Sequence, residues 1–187
     1  LTVLEYETHN CWDETTPDFA YDIRLVRVNR QNSAELININ LDPDFPPTGA
    51  DVTVMGYGDN GSGTSSFFSK QTAVVQVVDT ETCNDSFGGF RIQEFLYLCA
   101  NNDVSGSCPG DSGGPLVSYD ENNNAIQVGV TSFGVACPSS HPEGYARVSA
   151  FVPWINKLAG FCHPERQLMC FSATFPKSVA QFKVCVL

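Results

Sequence analysis

The feature that most constrains the fold is a series of short β-branched and aromatic runs separated by clusters of Gly, Pro, Asn and Asp. Such runs are predicted strands, and their spacing favours a sandwich or barrel over an alternation of strands and helices. The predicted strands are 23–28, 51–57, 73–78, 114–118, 126–132 and 145–148. The sequence therefore predicts an all-β fold for most of its length.

One helix is predicted near residue 150. Ser149 is a candidate N-cap, Pro153 lies in the expected first turn, and apolar residues at helical spacing follow within 151–158. Gly160 is predicted to end the helix. The apolar stripe indicates packing against a core. Residues 161–187 contain three cysteines and no clear period, so we expect a Cys-containing tail to which the sequence assigns no role.

Charge and cysteine content limit the function classes. The net charge of −11 argues against a surface that neutralises nucleic-acid phosphates, so we expect no nucleic-acid partner. Membrane association is not expected either, because no apolar run approaches the length of about 18 residues that a spanning helix needs. Eight cysteines indicate an oxidising compartment and hence a secreted protein. Their spacing does not match a zinc site, so neither a metal nor another cofactor is expected.

The segment Cys108–Leu116, which reads CPGDSGGPL, carries the strongest chemical signal. A serine hydroxyl becomes nucleophilic only when a neighbouring base takes its proton, and the attacked carbonyl needs donors for its developing oxyanion. Gly110 and Gly113 flank Ser112 and allow a tight turn that directs the amides of Gly110 and Ser112 into one small cavity. Asp111 is predicted to hold this loop and not to serve as the base.

The order of this loop and several other segments resembles the chymotrypsin/trypsin-like serine protease family. The other segments are Tyr21–Val26, Val54–Gly58, Cys83–Cys99, Thr131–Gly134, Pro142–Val148 and the helix around Trp154. The resemblance covers residues 1–160 and implies a trypsin-like double β-barrel with a C-terminal helix. The first barrel is expected to be only partly present at 1–41, with the second barrel and the closing helix at 42–160.

The same resemblance implies the roles of the site residues in a serine endopeptidase. Ser112 is expected to form the acyl-enzyme, and Asp22 to orient a histidine base. Gly110 and Ser112 are expected to form the oxyanion hole. Asp111 is implied as the acid that pairs with the amino group freed on activation. Because Leu1–Leu4 does not match the family's mature N-terminus, we expect Asp111 to have no partner in this chain.

The histidine base is not found where the family places it. It is expected several dozen residues before Asp22, in an Ala-Ala-His-Cys-like stretch, but only 21 residues precede Asp22. His9 is the sole upstream histidine, and its surroundings resemble the segment that leads into the aspartate strand. His141 and His163 follow the serine and are expected at the surface. We therefore expect an N-terminally incomplete, inactive piece of a protease. The alternatives are a non-catalytic homologue that binds proteins and a fragment without a stable fold.

Specificity is also implied only by the resemblance. The implied substrate-binding residues are Gly106, Ser107, Ser132, Phe133, Gly134 and Glu143. Gly106 lies at the base of the primary pocket, where the trypsin branch has an acid, and Glu143 lies on one wall. The Glu143 carboxylate is expected to pair with a basic substrate side chain, to shorten the pocket or to turn to solvent. The first outcome gives a mixed preference that includes Arg and Lys.

The resemblance also implies cysteine pairs and partners. Cys108 with Cys137 and Cys83 with Cys99 are the implied disulfides, whereas Cys11, Cys162, Cys170 and Cys185 allow three pairings that stay open. Expected partners are protein or peptide substrates and protein protease inhibitors. The protein is expected to be a monomer.

Overall fold

The computed structural model describes most of the first 159 residues and two short strands beyond them. The described ranges are 2–16, 19–29, 36–60, 69–88, 91–135, 137, 140–159 and, as strand backbone, 167–171 and 185–186. Within them, no helix is long and apolar enough to cross a membrane.

Six antiparallel strands form a closed barrel. They are β4 (Asp51–Gly56), β5 (Gln71–Val78), β6 (Tyr97–Asn101), β7 (Pro115–Tyr119), β8 (Ala125–Phe133) and β9 (Glu143–Arg147). The order β8-β7-β4-β5-β6-β9 is closed by pairing of β8 with β9, and the short β3 (Asn38–Ile39) pairs in parallel with β8. Closure removes the sheet edges that would otherwise be open to unwanted pairing.

A second sheet contains four strands in the order β1-β2-β10-β11. They are β1 (Val3–Thr8), β2 (Arg24–Val28), β10 (Gln167–Phe171) and β11 (Cys185–Val186). The barrel, this smaller open sheet and a C-terminal helix confirm the predicted all-β class with a partial first barrel.

The barrel strands follow from alternation of side chains between two faces. In β4, Val52 and Val54 are buried and their neighbours Asp51, Thr53 and Met55 are more exposed, as expected when one strand face points to a core. All six barrel strands contribute to this core: Val52, Val54, Val75, Val77, Leu98, Ala100, Leu116, Val128 and Tyr145.

A second hydrophobic cluster joins the smaller sheet to the outside of the barrel. Ile23 and Leu25 pack in one cluster with Val130, Phe151 and Ile155. Burying such side chains stabilises the fold by about 1.5–3 kcal/mol each. Because Ile23 directly follows Asp22, this packing places the aspartate against the barrel.

The closing helix α2 spans Val148–Ala159 and buries Phe151 and Ile155, as the apolar stripe predicts. It begins earlier than predicted. Ser149 lies inside the helix and is not its N-cap, and Pro153 lies beyond the first turn. Burial of Val148, fully inaccessible to solvent, draws the helix start toward the core. Gly160 lies outside the described residues.

A short helix, α1 (Thr80–Ser86), was not predicted. The Asp79 carboxylate caps it by accepting a hydrogen bond of 2.8 Å from the amide of Thr82. Cys83 in this helix forms a disulfide with Cys99 in β6. The bridge attaches α1 to the barrel beside the second cluster.

Candidate active site

The Ser112 loop lies between Cys108 and the start of β7. Gly110 has φ +96° and Gly113 has φ +80°. Residues with a Cβ rarely adopt such positive φ angles. The backbone is tied at both ends, because Asp111 N–H donates to the Cys108 carbonyl and Gly113 N–H donates to the Thr131 carbonyl, each at 2.8 Å. The glycines on either side of Ser112 are therefore required by the shape of the loop.

Asp111 is held beneath this loop and is almost fully buried. Its Oδ1 accepts from the Gly58 amide at 2.7 Å and its Oδ2 accepts from the Cys108 amide at 2.9 Å. Asp111 therefore has hydrogen-bond donors within this chain, while the expectation that the chain does not supply its ion-pairing amino group stays a prediction. Its donors are backbone amides that β4 and the serine loop bring together, which a search for a cationic residue does not find.

Two loop amides remain available. Among the described residues, the N–H groups of Gly110 and Ser112 donate to no protein acceptor. Gly110 is exposed and Ser112 is half-buried, so both residues keep contact with solvent. Backbone donors that are fixed in a tight loop and left free can stabilise a developing oxyanion.

Asp22 lies fully buried just before β2. Two residues shortly before it have left-handed backbones, Phe19 with φ +48° and Tyr21 with φ +64°. Ile23 follows it directly. A left-handed backbone at a non-glycine residue lowers the stability of the fold by about 1–2 kcal/mol. The packing of the second cluster therefore holds a strained turn before the buried Asp22. Such strain is often found at functional sites.

Ser132 connects Asp22 to the serine loop. Its hydroxyl donates to Asp22 Oδ2 at 2.6 Å, across 110 residues of sequence. The preceding residue, Thr131, accepts the Gly113 amide. Two consecutive residues of β8 thus hydrogen-bond to the predicted orienting aspartate and to the predicted nucleophile loop.

His9 lies in an aromatic cluster against α2. Its ring stacks on Tyr21 at 4.8 Å between centroids and lies 5.0 Å from Trp154. Its Nδ1 accepts from the Cys11 amide at 3.2 Å, and partial burial lowers the pKa of the imidazole. His141 is exposed, and His163 lies outside the described residues.

Glu143 lies against Gly106 and Gly134, two of the residues that the resemblance implies in substrate binding. It is buried, and its Oε2 accepts from the Ser107 amide at 2.8 Å and from the Tyr145 hydroxyl at 2.6 Å. A Cβ added at Gly106 would lie 2.5 Å from Oε1, and one added at Gly134 would lie 3.4 Å from Cγ. The Glu143 side chain therefore passes beside Gly134 and ends against Gly106, and it does not turn to solvent.

Phe133, which is also implied in substrate binding, packs in a cluster with three other aromatic rings. Its ring stacks on Phe19 at 5.3 Å and meets Phe87 and Tyr97 edge-on at 5.4 Å. Sequence reasoning named Phe133 but not the other three rings. They come from separate segments and share no motif, so no signal in the sequence identifies them.

The cysteines near the site form one bridge. Cys108 is joined to Cys137, which connects the serine loop to the segment after β8. Cys11 is exposed and forms no disulfide with a described cysteine. The backbone register places Cys170 opposite Cys185, and Cys162 lies outside the described residues. No group of three metal-ligating side chains occurs within the described part of the chain.

Comparison with known proteins agrees with this geometry. The family model named Trypsin matches residues 1–155. The chain is 32% identical over 159 residues to Trypsin Blo t 3 of Blomia tropicalis, covering 79% of this chain and 57% of that protein. It is 33% identical over 167 residues to Trypsin iota of Drosophila melanogaster, covering 85% and 62% respectively.

A third relative has a different name. Phenoloxidase-activating factor 1 of Holotrichia diomphalia is 31% identical over 163 residues, covering 83% of this chain and 44% of that protein. The chain spans 44% to 62% of the length of these three curated relatives. With a family model matched over most of its residues, the chain belongs to the chymotrypsin/trypsin-like serine protease family.

Proposed function

We propose that this chain carries the nucleophile, oxyanion hole and orienting aspartate of a secreted serine endopeptidase. The observation that carries the proposal is the Ser112 loop, in which two left-handed glycines leave the Gly110 and Ser112 amides free while Asp111 is anchored below. The tether through β8 to the buried Asp22 supports the same assignment. Family membership adds independent support.

In the proposed reaction, Ser112 Oγ bonds to the carbonyl carbon of a substrate peptide bond as its proton passes to a histidine. The oxyanion accepts hydrogen bonds from the Gly110 and Ser112 amides. The histidine then protonates the leaving amine, and the C–N bond breaks to give an acyl-enzyme. Water, deprotonated by the same histidine, releases the acid and restores the serine.

We propose further that these 187 residues alone do not hydrolyse peptides. The reaction needs a histidine between Asp22 and Ser112, whereas His9 is packed in the aromatic cluster of Tyr21 and Trp154. A protein that joins this chain to a segment bearing such a histidine is expected to be active.

Asp111 is proposed as the activation-linked acid. A cavity of about 220 Å³ lies beside it, lined in part by Gly56, Asp59, Gln71 and Gly106. A cavity of this size next to a buried carboxylate suits a chain-terminal ammonium group. Its occupation would stabilise the loop that presents Ser112.

For specificity, we propose a mixed preference that includes Lys and Arg at the residue before the cleaved bond. The position of Glu143 against Gly106 supports this assignment, since it puts a carboxylate beside the residue that the resemblance implies at the pocket base. Protein substrates and protein protease inhibitors are the proposed partners of a monomeric domain spanning 1–160, with 161–187 as a tail. Peptide-library profiling of an active form, with Glu143→Gln as the variant, tests the preference.

Labelling with a fluorophosphonate probe tests the function. We expect no labelling of the 187-residue chain at Ser112. A longer protein that supplies the histidine should be labelled, and Ser112→Ala should abolish the signal while the helix-surface control Ser86→Ala should not. Labelling of the short chain would show that the base is misassigned, and an unlabelled longer protein would contradict the endopeptidase proposal.

A non-catalytic homologue that binds proteins is the second candidate. The packing of His9 against the rings of Tyr21 and Trp154 favours this candidate for the chain by itself. The coding sequence of the complete transcript separates the two. If it contains no histidine-bearing segment before Leu1, the binding function is the better conclusion.

A further inference from the structure

Two strands that follow the family match extend the smaller sheet. The match ends at residue 155, whereas β10 and β11 lie after residue 160. β10 pairs antiparallel with β2 along its whole length, from Gln167 opposite Val28 to Phe171 opposite Arg24. Because β1 pairs with the other side of β2, the tail supplies the strand that covers the second edge of β2.

The covered edge lies next to the predicted orienting aspartate. Asp22 is fully buried and comes two residues before Arg24, the first residue of β2. Phe171, the last residue of β10, is the partner of Arg24 in the sheet. The tail strand therefore reaches the end of β2 at which Asp22 is placed.

β10 has only a very short strand on its outer side. β11 contains two residues, which pair as Val186 with Met169 and Cys185 with Cys170. Two such pairs supply few backbone hydrogen bonds, and a small strand pair by itself is marginally stable. The register places the two cysteines directly opposite each other.

Opposite positions in an antiparallel strand pair suit a disulfide. Their Cα atoms are about 4.5 or 5.5 Å apart, depending on whether the two residues exchange hydrogen bonds, and a disulfide spans Cα separations of about 4.4–6.8 Å. Cys11 follows β1, which lies on the far side of β2. Neighbouring strands are about 4.8 Å apart, so β1 and β10 are about 10 Å from each other. The register therefore favours Cys185 over Cys11 as the partner of Cys170.

We propose that Cys170 and Cys185 form a disulfide that fixes the tail strand on β2. This bond excludes two of the three pairings that the sequence leaves open. In its formation, the thiolate of one cysteine attacks glutathione disulfide and releases one glutathione thiolate. The thiolate of the other cysteine then attacks the mixed disulfide, forms the S–S bond and releases the second glutathione. The two cysteine thiols are oxidised, and one glutathione disulfide is reduced to two thiols.

Peptide mapping tests the bridge directly, because digestion with trypsin puts each open cysteine in a separate peptide. Cleavage after Lys and Arg gives 1–24 with Cys11, 158–166 with Cys162, 167–177 with Cys170 and 184–187 with Cys185. The 187-residue chain is refolded in glutathione buffer, its free thiols are alkylated, and the unreduced digest is measured by mass spectrometry. We expect 167–177 to be linked to 184–187. A link from 167–177 to 158–166 or to 1–24, or an alkylated Cys170, refutes the proposal.

Cys185→Ser tests whether the bridge fixes the tail on β2. Amide hydrogen exchange of residues 25–28 is followed by NMR in the wild-type chain and in the variant. We expect the β2 amides that pair with β10 to exchange about tenfold faster or more in the variant, since β10 is then held by backbone pairing alone. Cys11→Ser removes another open cysteine and is the matched control, in which exchange at β2 should not change. Unchanged exchange in Cys185→Ser would overturn the role assigned to the bridge, and if that variant does not fold, the peptide map decides.

Discussion

Gly56→Ala tests whether the Asp111 anchor shapes the serine loop. Gly56 is the last residue of β4 and lies next to the Asp111 carboxylate. A Cβ at residue 56 would lie 2.7 Å from Asp111 Cγ, which is closer than the 3.0 Å below which Cβ contacts are essentially never found. The carboxylate would have to move away from the amides of Gly58 and Cys108, at 2.7 and 2.9 Å. Hydrogen bonds to a charged group contribute about 1.5–3 kcal/mol each, so losing both costs about 3 kcal/mol or more.

The assay is thermal unfolding with the disulfides intact, supported by hydrogen exchange. A loss of about 3 kcal/mol corresponds to a fall in Tm of about 6–12 °C for a chain of this size. The Gly58 and Cys108 amides should also exchange faster in the variant. Gly134→Ala is the matched control, because its Cβ would make an ordinary contact of 3.4 Å with Glu143. A Gly56→Ala protein as stable as this control, with both amides still protected, would refute the reasoning.

Two further predictions concern buried hydroxyls. Ser132→Ala should lower the free energy of unfolding by about 1.5–3 kcal/mol, because it removes a donor from the buried Asp22. Ser149→Ala should be neutral or stabilising in the same chemical-denaturation assay, because that buried hydroxyl has no partner; equal losses in the two variants would contradict the role of Ser132. The raised pKa of Tyr145 means that above pH 10 the unfolded chain loses this proton while the folded chain keeps it. Stability from this group is therefore fully present below pH 10 and is lost as the pH rises, by up to about 1.4 kcal/mol per pH unit. The stability difference between wild type and Tyr145→Phe should shrink as the pH is raised above 10, and a constant difference would argue against this pKa.

The strand β4, which has one buried face, was predicted, whereas β1 and β6, which lack that contrast, were not. The alternation in β4 is visible in the sequence because Val52 and Val54 face the core and their neighbours do not. β1 is exposed at nearly every position and β6 is buried at nearly every position, so neither shows a period of two. Their pairing partners, β2 for β1 and both β5 and β9 for β6, decide that they are strands.

The sequence by itself determined the family and predicted that the Ser112 loop is the nucleophile loop. Both depend on local requirements. Glycine at positions 110 and 113 indicates a left-handed backbone, because glycine adopts positive φ angles that other residues avoid. It also named Asp22 and Glu143, through the segments in which they lie.

Only the tertiary structure decided what each carboxylate does. Asp111 is anchored by the amides of Gly58 and Cys108, and Asp22 accepts from Ser132. Glu143 accepts from the Tyr145 hydroxyl and the Ser107 amide. Several of these donors are backbone N–H groups, which every residue except proline possesses. Their positions depend on strand pairing over tens of residues, so the fold, and not the local sequence, sets the chemistry of these acids.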